Sequence, residues 1–334
     1  MADTSQDTPS VVARTRPVSA DAAVVAAHFL GDIPVFALGE ETLLFAPKDG
    51  ERRVAAHGGA ILASAADATR IVTGGDDGKV VATAVSGETT VIATDAKRRW
   101  IDHLALGPDG AVAWSAGKQA FVKTARGDER MHEVPSSVGG LAFAPKGLRL
   151  AIAHYNGATL WFPNAAAKPD LLEWKGSHLD VTFSPDGRFL VTAMQEATLH
   201  GWRLADGKHM RMSGYSAKVR SLSWAADGKW LATSGSTQLI LWPFQSKDGP
   251  MGKQPELLAP RDARVVVVAC HPRQEIAAVG YEDGMVLLVR INDGAEVVAR
   301  HPDSTPVTAL AWNSTGTLLA FGTEQASAGV IDLA

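Results

Sequence analysis

Short apolar runs recur along the chain at intervals near forty residues, separated by tight clusters of Pro, Asp, Asn and Gly. The clearest copy reads Val181-Thr-Phe-Ser-Pro-Asp-Gly-Arg-Phe-Leu-Val-Thr-Ala193, followed by Thr198-Leu-His-Gly-Trp202. Its neighbour reads Leu222-Ser-Trp-Ala-Ala-Asp-Gly-Lys-Trp-Leu-Ala-Thr-Ser234, followed by Leu239-Ile-Leu-Trp242. Apolar runs this short, bounded by turn residues, predict strands, because a helix would need spacings of three and four sustained over ten or more positions. Each turn is chemically explicit, as at Pro108-Asp-Gly110, Pro145-Lys-Gly147, Pro185-Asp-Gly187, Ala226-Asp-Gly228 and Ser314-Thr-Gly316. Pro presets φ for the second turn position, and Gly tolerates the positive φ that closes the reversal.

The residue before each turn serves as a ruler and falls at Phe29, Ser64, Leu106, Phe143, Phe183, Trp224, Cys270 and Trp312. An apolar run precedes each turn, as in Val307 to Trp312, and a second follows it, as in Leu318 to Gly322. A third short strand comes after another turn (Gly157-Ala-Thr-Leu-Trp161, Gly284-Met-Val-Leu-Leu-Val289), and a more polar fourth leads into the next unit (Thr90 to Thr94, Glu296 to Ala299). Three largely apolar strands and a polar outer one describe a propeller blade, with the inner strands buried on both faces and the outer one a solvated edge.

The pattern of Phe-Ser-Pro-Asp-Gly, then Leu-Ala-Thr-Ser, then a Leu-Trp pair resembles the WD40 repeat across nearly the whole chain. Its best copies end in Trp161, Trp202 and Trp242. It departs from that family in three ways. No such Trp is followed by Asp, no unit carries Gly-His in its usual place, and no unit is expected to assemble the complete Asp, His, Ser/Thr and Trp network. The tight-turn Asp survives as Asp77 and Asp283, with Asn156 as a near substitute. The resemblance implies an all-β fold, a single closed propeller of four-stranded antiparallel blades. Eight blades are favoured by the count of inner runs, and seven is the alternative. The last unit lacks one strand, which 11–17 is expected to supply, closing the ring. The domain division is then a disordered tail over 1–10 and a propeller over 11–334.

Composition narrows the function classes. A net charge of −4 argues against a general nucleic-acid binder. One cysteine in 334 residues excludes an internal disulfide framework and fits a reducing compartment. The start of the chain has neither a basic leader nor a long apolar stretch, and no run approaches the roughly 20 residues that span a bilayer. A soluble, cytoplasmic monomer is expected. The segment from Pro243 to Pro260, rich in Pro, Gly, Gln and Lys, reads as a solvated excursion between outer strands, with a partner-binding flap as the alternative.

Candidate chemistry is sparse. The ten histidines form no short-range ligand set. His103, His154, His178 and His271 stand at comparable heights in different units, so they either converge on the channel or end strands as satisfied side chains. Cys270-His271 occupies a strand end and turn. Gly74-Gly-Asp-Asp-Gly-Lys79 lacks the spacing of a phosphate loop and reads as a hairpin turn on Asp77-Gly78. Asn313-Ser-Thr315 matches a glycosylation sequon inside a turn. No motif places a nucleophile, a paired acid and base, a metal or a cofactor.

The WD40 resemblance implies that residues just before the inner strand, and just before the turn Asp, face a partner at the channel rim. Here the first class is Arg99, Trp100, Tyr215, Lys218 and Arg264, and the second is Asp76, Tyr155 and Glu282. Aromatic and Arg side chains are the usual anchors of interfaces. The expected function is a non-enzymatic scaffold binding a protein or peptide. The alternative is a propeller enzyme, or a small-molecule or metal sensor, with its site in the channel. A role in metal handling stands third, suggested only by the histidine count.

Overall fold

The computed structural model describes residues 8–334, which are strand and turn apart from two single-turn 3-10 helices, Val12–Arg14 and Pro108–Gly110. Each sequence unit folds as an antiparallel meander. In the second, Ile61–Ala66 pairs with Arg70–Gly75, then Lys79–Ala84, then Thr89–Thr94. The second strand is buried along nearly its whole length, while the outer strand is largely exposed, as the shift from apolar to polar composition requires.

Strand register tests the ruler directly. Phe29, Leu106, Phe143, Phe183, Trp224, Cys270 and Trp312 each pair near the start of their second strand, opposite Pro34, Val112, Leu150, Leu190, Leu231, Ala277 and Leu319. In the second unit that position, opposite Ile71, belongs to Ala66 and not to Ser64. No large residue marks it there, so the ruler slipped by one pleat.

Among the described residues the strands form seven hydrogen-bonded sheets, six of four strands and one of six. Seven, the alternative count, therefore describes the sheets, and eight separate blades is corrected. The difference lies in the fourth and fifth units. Leu150–Trp161 runs through two successive strand positions, with a register break between Tyr155 and Gly157. Asp170–Phe183 then serves as the outer strand of the fourth unit and, after a break between His178 and Asp180, as the inner strand of the fifth. Eight repeat units thus occupy seven sheets because two long strands merge a pair. At this junction the inner strands approach closely: a Cβ on Gly140 would sit 2.8 Å from the Cα of Asp180.

Thr15–Ser19 closes the ring by pairing antiparallel with Ser327–Asp332, Thr15 opposite Ile331 and Ser19 opposite Ser327. The closing strand starts later than the expected 11–17, because Val12–Arg14 turn first while Val11 and Val12 pack against cores of the last units. Of the tail expected at 1–10, residues 1–7 lie outside the described residues. Pro9 and Ser10 are not disordered: the Pro9 carbonyl accepts from Val298 N at 2.8 Å, and Ser10 bridges Val298.

The apolar core is divided among the junctions, one buried cluster between each pair of neighbouring units. At the closing junction Phe36, Leu38 and Leu44 of the first unit meet Ala320 and Val330 of the last. A blade alone leaves one apolar face bare, so the ring is stable only when closed.

The internal polar network is divided between units. His57 bonds Asp77 through Nδ1 at 3.0 Å and Thr73 through Nε2 at 2.8 Å. The Trp position of that unit is Thr83, whose buried hydroxyl has no partner among the described residues. One unit therefore assembles three of the four members. The sequence hid this because Ala56, not Gly, precedes His57. In the sixth unit Trp242 Nε1 donates to the Tyr215 hydroxyl at 2.7 Å, and that hydroxyl bonds Thr233 Oγ1 at 2.9 Å. Tyr215 takes the place of the His.

The segment from Pro243 to Pro260 is folded back, not solvated throughout. Phe244, Gly249 and Pro250 are buried, Arg188 donates to the Ser246 carbonyl at 3.2 Å, and Arg203 ion-pairs with Asp248. It is clamped on the fifth unit.

Burial holds His28 near pKa 4 and His200 near pKa 3. Both stay neutral in the folded chain while the unfolded chain protonates them near 6.5. The stability they contribute is present above pH 6.5 and lost as pH falls from there toward 4. Asp180, pushed up to about 6 by burial, acts in the opposite sense and gains as pH falls through 6. The urea midpoint is expected to drop between pH 7 and pH 4.5, with a smaller drop in His200→Phe. An unchanged slope in that variant would remove His200 from the explanation.

Candidate partner-binding face

The meander sends every outer-to-inner loop and every turn between second and third strands to one end of the ring. The inner strands enter from that end through β-bulges, which break register at Val25, Leu62, Leu179, Val266 and Thr308. Each bulge residue follows a buried one: Val24, Ile61, His178, Val265 and Val307. Buried Ile101, Val138 and Val219 precede Asp102, Gly139 and Arg220 in the remaining units, completing the set. Bulges re-aim side chains, so these positions ring the channel mouth.

The large apolar residues left exposed follow this geometry. Val25 (46 %), Leu62 (38 %), Trp100 (64 %), Tyr155 (57 %) and Leu179 (38 %) lie at the mouth. Val91, Met131, Leu171 and Leu257 lie on outer strands, and among the described residues the opposite end has none. A clustered apolar surface is the informative departure from ordinary surface composition. Beside it a cavity of about 930 Å³ opens between the inner strands of the first, sixth, seventh and eighth units.

The expected site residues divide. Trp100 and Tyr155 stand exposed at the mouth. Lys218 and Arg264 line the cavity, with Lys218 Nζ donating to Gln195 Oε1 at 2.9 Å. Arg264 and Glu282 are brought together at 2.8 Å, and the hydrogen bond from Arg264 holds the Glu282 carboxyl below its usual range. Asp76 packs over Gly59, part-buried. Arg99 is engaged internally: it grips Asp95 at 2.5 Å, the Ala116 carbonyl at 3.0 Å and Gln119 Oε1 at 3.0 Å, and its hydrogen bonds depress the Asp95 carboxyl. Tyr215 belongs to the core network described above. Arg99→Ala is therefore expected to lower stability by about 1–3 kcal/mol through stranded Asp95 and Ala116 groups. Urea unfolding checks this, and a midpoint equal to wild type would make Arg99 a surface residue after all.

The sequence reading missed Val25, Leu62, Leu179 and Arg220. The signal was present as a buried apolar residue followed by a free choice at each inner-strand entrance: Val24-Val25, Ile61-Leu62, Val219-Arg220.

The histidines do not converge. His154 bonds the Tyr155 carbonyl and Thr159 Oγ1, both at 2.9 Å, and His178 bonds Thr192 Oγ1 at 2.7 Å and the Trp174 carbonyl at 2.9 Å. His271 meets the Gly316 carbonyl at 3.1 Å and accepts from two backbone amides. His103 lies at the third inner strand, its pKa lowered by burial. His28 Nε2 lies 2.8 Å from Ser64 Oγ, yet a ring held near pKa 4 is a poor base, and the pair ties two inner strands. Burial pushes the Cys270 thiol up to about 12, away from thiolate chemistry. Asn313 is fully buried, donating to Asp32 and Thr315, so its sequon is closed to modification.

Comparison with known proteins bears on the fold and the repeat. The WD domain, G-beta repeat model matches residues 208–243, and the anaphase-promoting complex subunit 4 WD40 domain model matches 262–334. WD repeat-containing protein 1-B of Xenopus laevis is 31 % identical over 77 residues, 22 % of this chain and 13 % of that protein. Protein HIR1 of Yarrowia lipolytica is 25 % identical over 208 residues, 56 % of this chain. The matched regions thus span only 13 % and 17 % of these relatives' own lengths. A computationally designed protein, Ika8, superposes with a TM-score of 0.77 over 94 % of this chain and 97 % of its own, at 18 % identity, so what it shares is the fold. The fold is a β-propeller, and the two repeat models with these relatives support the WD40-repeat family for it. Its repeats are degenerate, with the side-chain network distributed across units. Among the described residues no helix is long and apolar enough to cross a membrane.

Proposed function

We propose that the chain is a non-enzymatic scaffold that docks a protein or peptide on the channel-mouth end of the ring. One observation carries this reading: Val25, Leu62, Trp100, Tyr155 and Leu179 are exposed at that end, four of them within strands and Trp100 in the loop before one. Backbone already ordered by strand pairing loses little conformational freedom on association, which favours binding there. The families matched are interaction platforms, which supports the class of function. The single cysteine, half-buried, suits a reducing, cytoplasmic compartment, net charge −4 suits a protein and not a nucleic-acid partner, and ring closure leaves no need for a second copy, so the protein is taken to act as a monomer.

The test is affinity capture from the source cells with wild type and the Trp100→Ala/Tyr155→Ala double variant. Because both side chains are exposed, the double variant is expected to fold normally and to lose a stoichiometric partner, weakening it by about thirtyfold or more at roughly 2 kcal/mol per anchor. A partner retained at wild-type stoichiometry would place the docking surface elsewhere.

A further inference from the structure

The cavity beside the apolar cluster has a lining whose polar groups are nearly all committed. Ser221 Oγ donates to the Val268 carbonyl at 3.3 Å, and Ser234 Oγ accepts from the amides of Arg220 and Ser221 at 3.1 and 3.0 Å. Thr308 Oγ1 donates to the Val24 carbonyl at 2.5 Å. Among the cations, Arg264 is neutralised by Glu282 and Lys218 is held by the amide of Gln195. Arg220 is different. Among the described residues its guanidinium makes no hydrogen bond or ion pair, and it stands exposed at the cavity mouth. Its backbone is fixed by the Ser234 hydroxyl and by buried Val219 beside it. It is also the one cation among the eight bulge-equivalent positions.

Resting on the scaffold reading, we propose that this mouth takes a segment of the partner bearing one carboxylate among aliphatic residues, and that Arg220 selects the carboxylate. The planar guanidinium offers a bidentate donor pair matched to a carboxylate. The aliphatic neighbours of that acid would lie against Val25, Val266 and Val267, which line the same cavity. Glu324 also faces the cavity and carries no ion pair among the described residues, so a second carboxylate in the ligand is repelled. The partner class is therefore a short, mostly aliphatic peptide segment with a single Asp or Glu.

The experiment is selection of a random heptapeptide library on the full-length protein, using wild type, Arg220→Glu, Arg220→Lys and the Trp100/Tyr155 double variant. Wild type is expected to enrich peptides with one acidic residue flanked by Val, Leu or Ile. Changing that acid to its amide should weaken binding by about tenfold to a hundredfold, the size of a charge-assisted hydrogen bond. Arg220→Glu should lose the acidic preference while keeping the wild-type melting temperature, and Arg220→Lys should keep it in part. Enriched peptides indifferent to the amide change, or an acidic preference that survives Arg220→Glu, would overturn the role of Arg220 and leave the docking face standing. Failure of wild type to enrich any peptide would overturn both.

Discussion

Replacing Trp202 with alanine lowers the free energy of unfolding by about 3–5 kcal/mol, the range for deleting a buried aromatic side chain. Trp202 is 2 % exposed and belongs to the cluster shared by the fourth and fifth units, with Ala151, Leu160, Val181 and Leu190. Its ring also meets His200 edge-on, with centroids 4.7 Å apart. Removing it opens a cavity between two units at the place where the long strands merge them, so neither can relax into the space without moving the other. Trp100→Ala is the matched control: at 64 % exposure it should change stability by less than about 0.5 kcal/mol. Urea unfolding of both variants distinguishes a Trp that holds the fold from one that serves its surface. Equal midpoints would contradict the assignment.

Deleting residues 1–19 is expected to cost more. Thr15–Ser19 is the fourth strand of the last sheet, and without it Ser327–Asp332 becomes a naked edge. Val18, 5 % exposed, leaves the closing cluster, and the paired backbone groups return to water. At about 1.5–3 kcal/mol for the side chain and about 1 kcal/mol per hydrogen bond, the loss reaches several kcal/mol. The exposed edge also offers a template for a second chain. The truncated protein should melt about 5–10 °C lower and elute as dimers or larger species on size-exclusion chromatography. A monomer with the full-length melting temperature would show that ring closure does not depend on this strand.

The fold was legible because its information is local and repeated. Pro185-Asp-Gly187 and Ala226-Asp-Gly228 each specify a reversal on their own, and the apolar runs beside them specify strands. Where the repeat lost its large residue, as at Ala66, the register could not be read. The merging of two units into one sheet was invisible because Leu150–Trp161 and Asp170–Phe183 stay continuous through Asn156-Gly157 and Gly176, turn-type residues at positive-φ positions that predict breaks between strands. The candidate site was half legible. Trp100 and Tyr155 were visible as aromatic residues at the right point of the repeat. Arg99 and Tyr215 occupy equally suggestive points, but they turn inward to Asp95 and to Thr233. Sequence position fixes which end of the ring a residue reaches, and local partners decide whether its side chain stays free. Arg220 was missed for the same reason: its importance lies in having no partner among the described residues, and a repeat pattern does not reveal that.

The central claim is that the partner docks at the channel-mouth end. The most direct measurement places a photo-crosslinking amino acid at Leu62, at the mouth, or at Lys146, in a turn at the opposite end, and irradiates the cells that make the protein. A discrete cross-linked partner from position 62 and none from position 146 is the predicted result. Cross-links from position 146 alone, or equally from both ends, would contradict it.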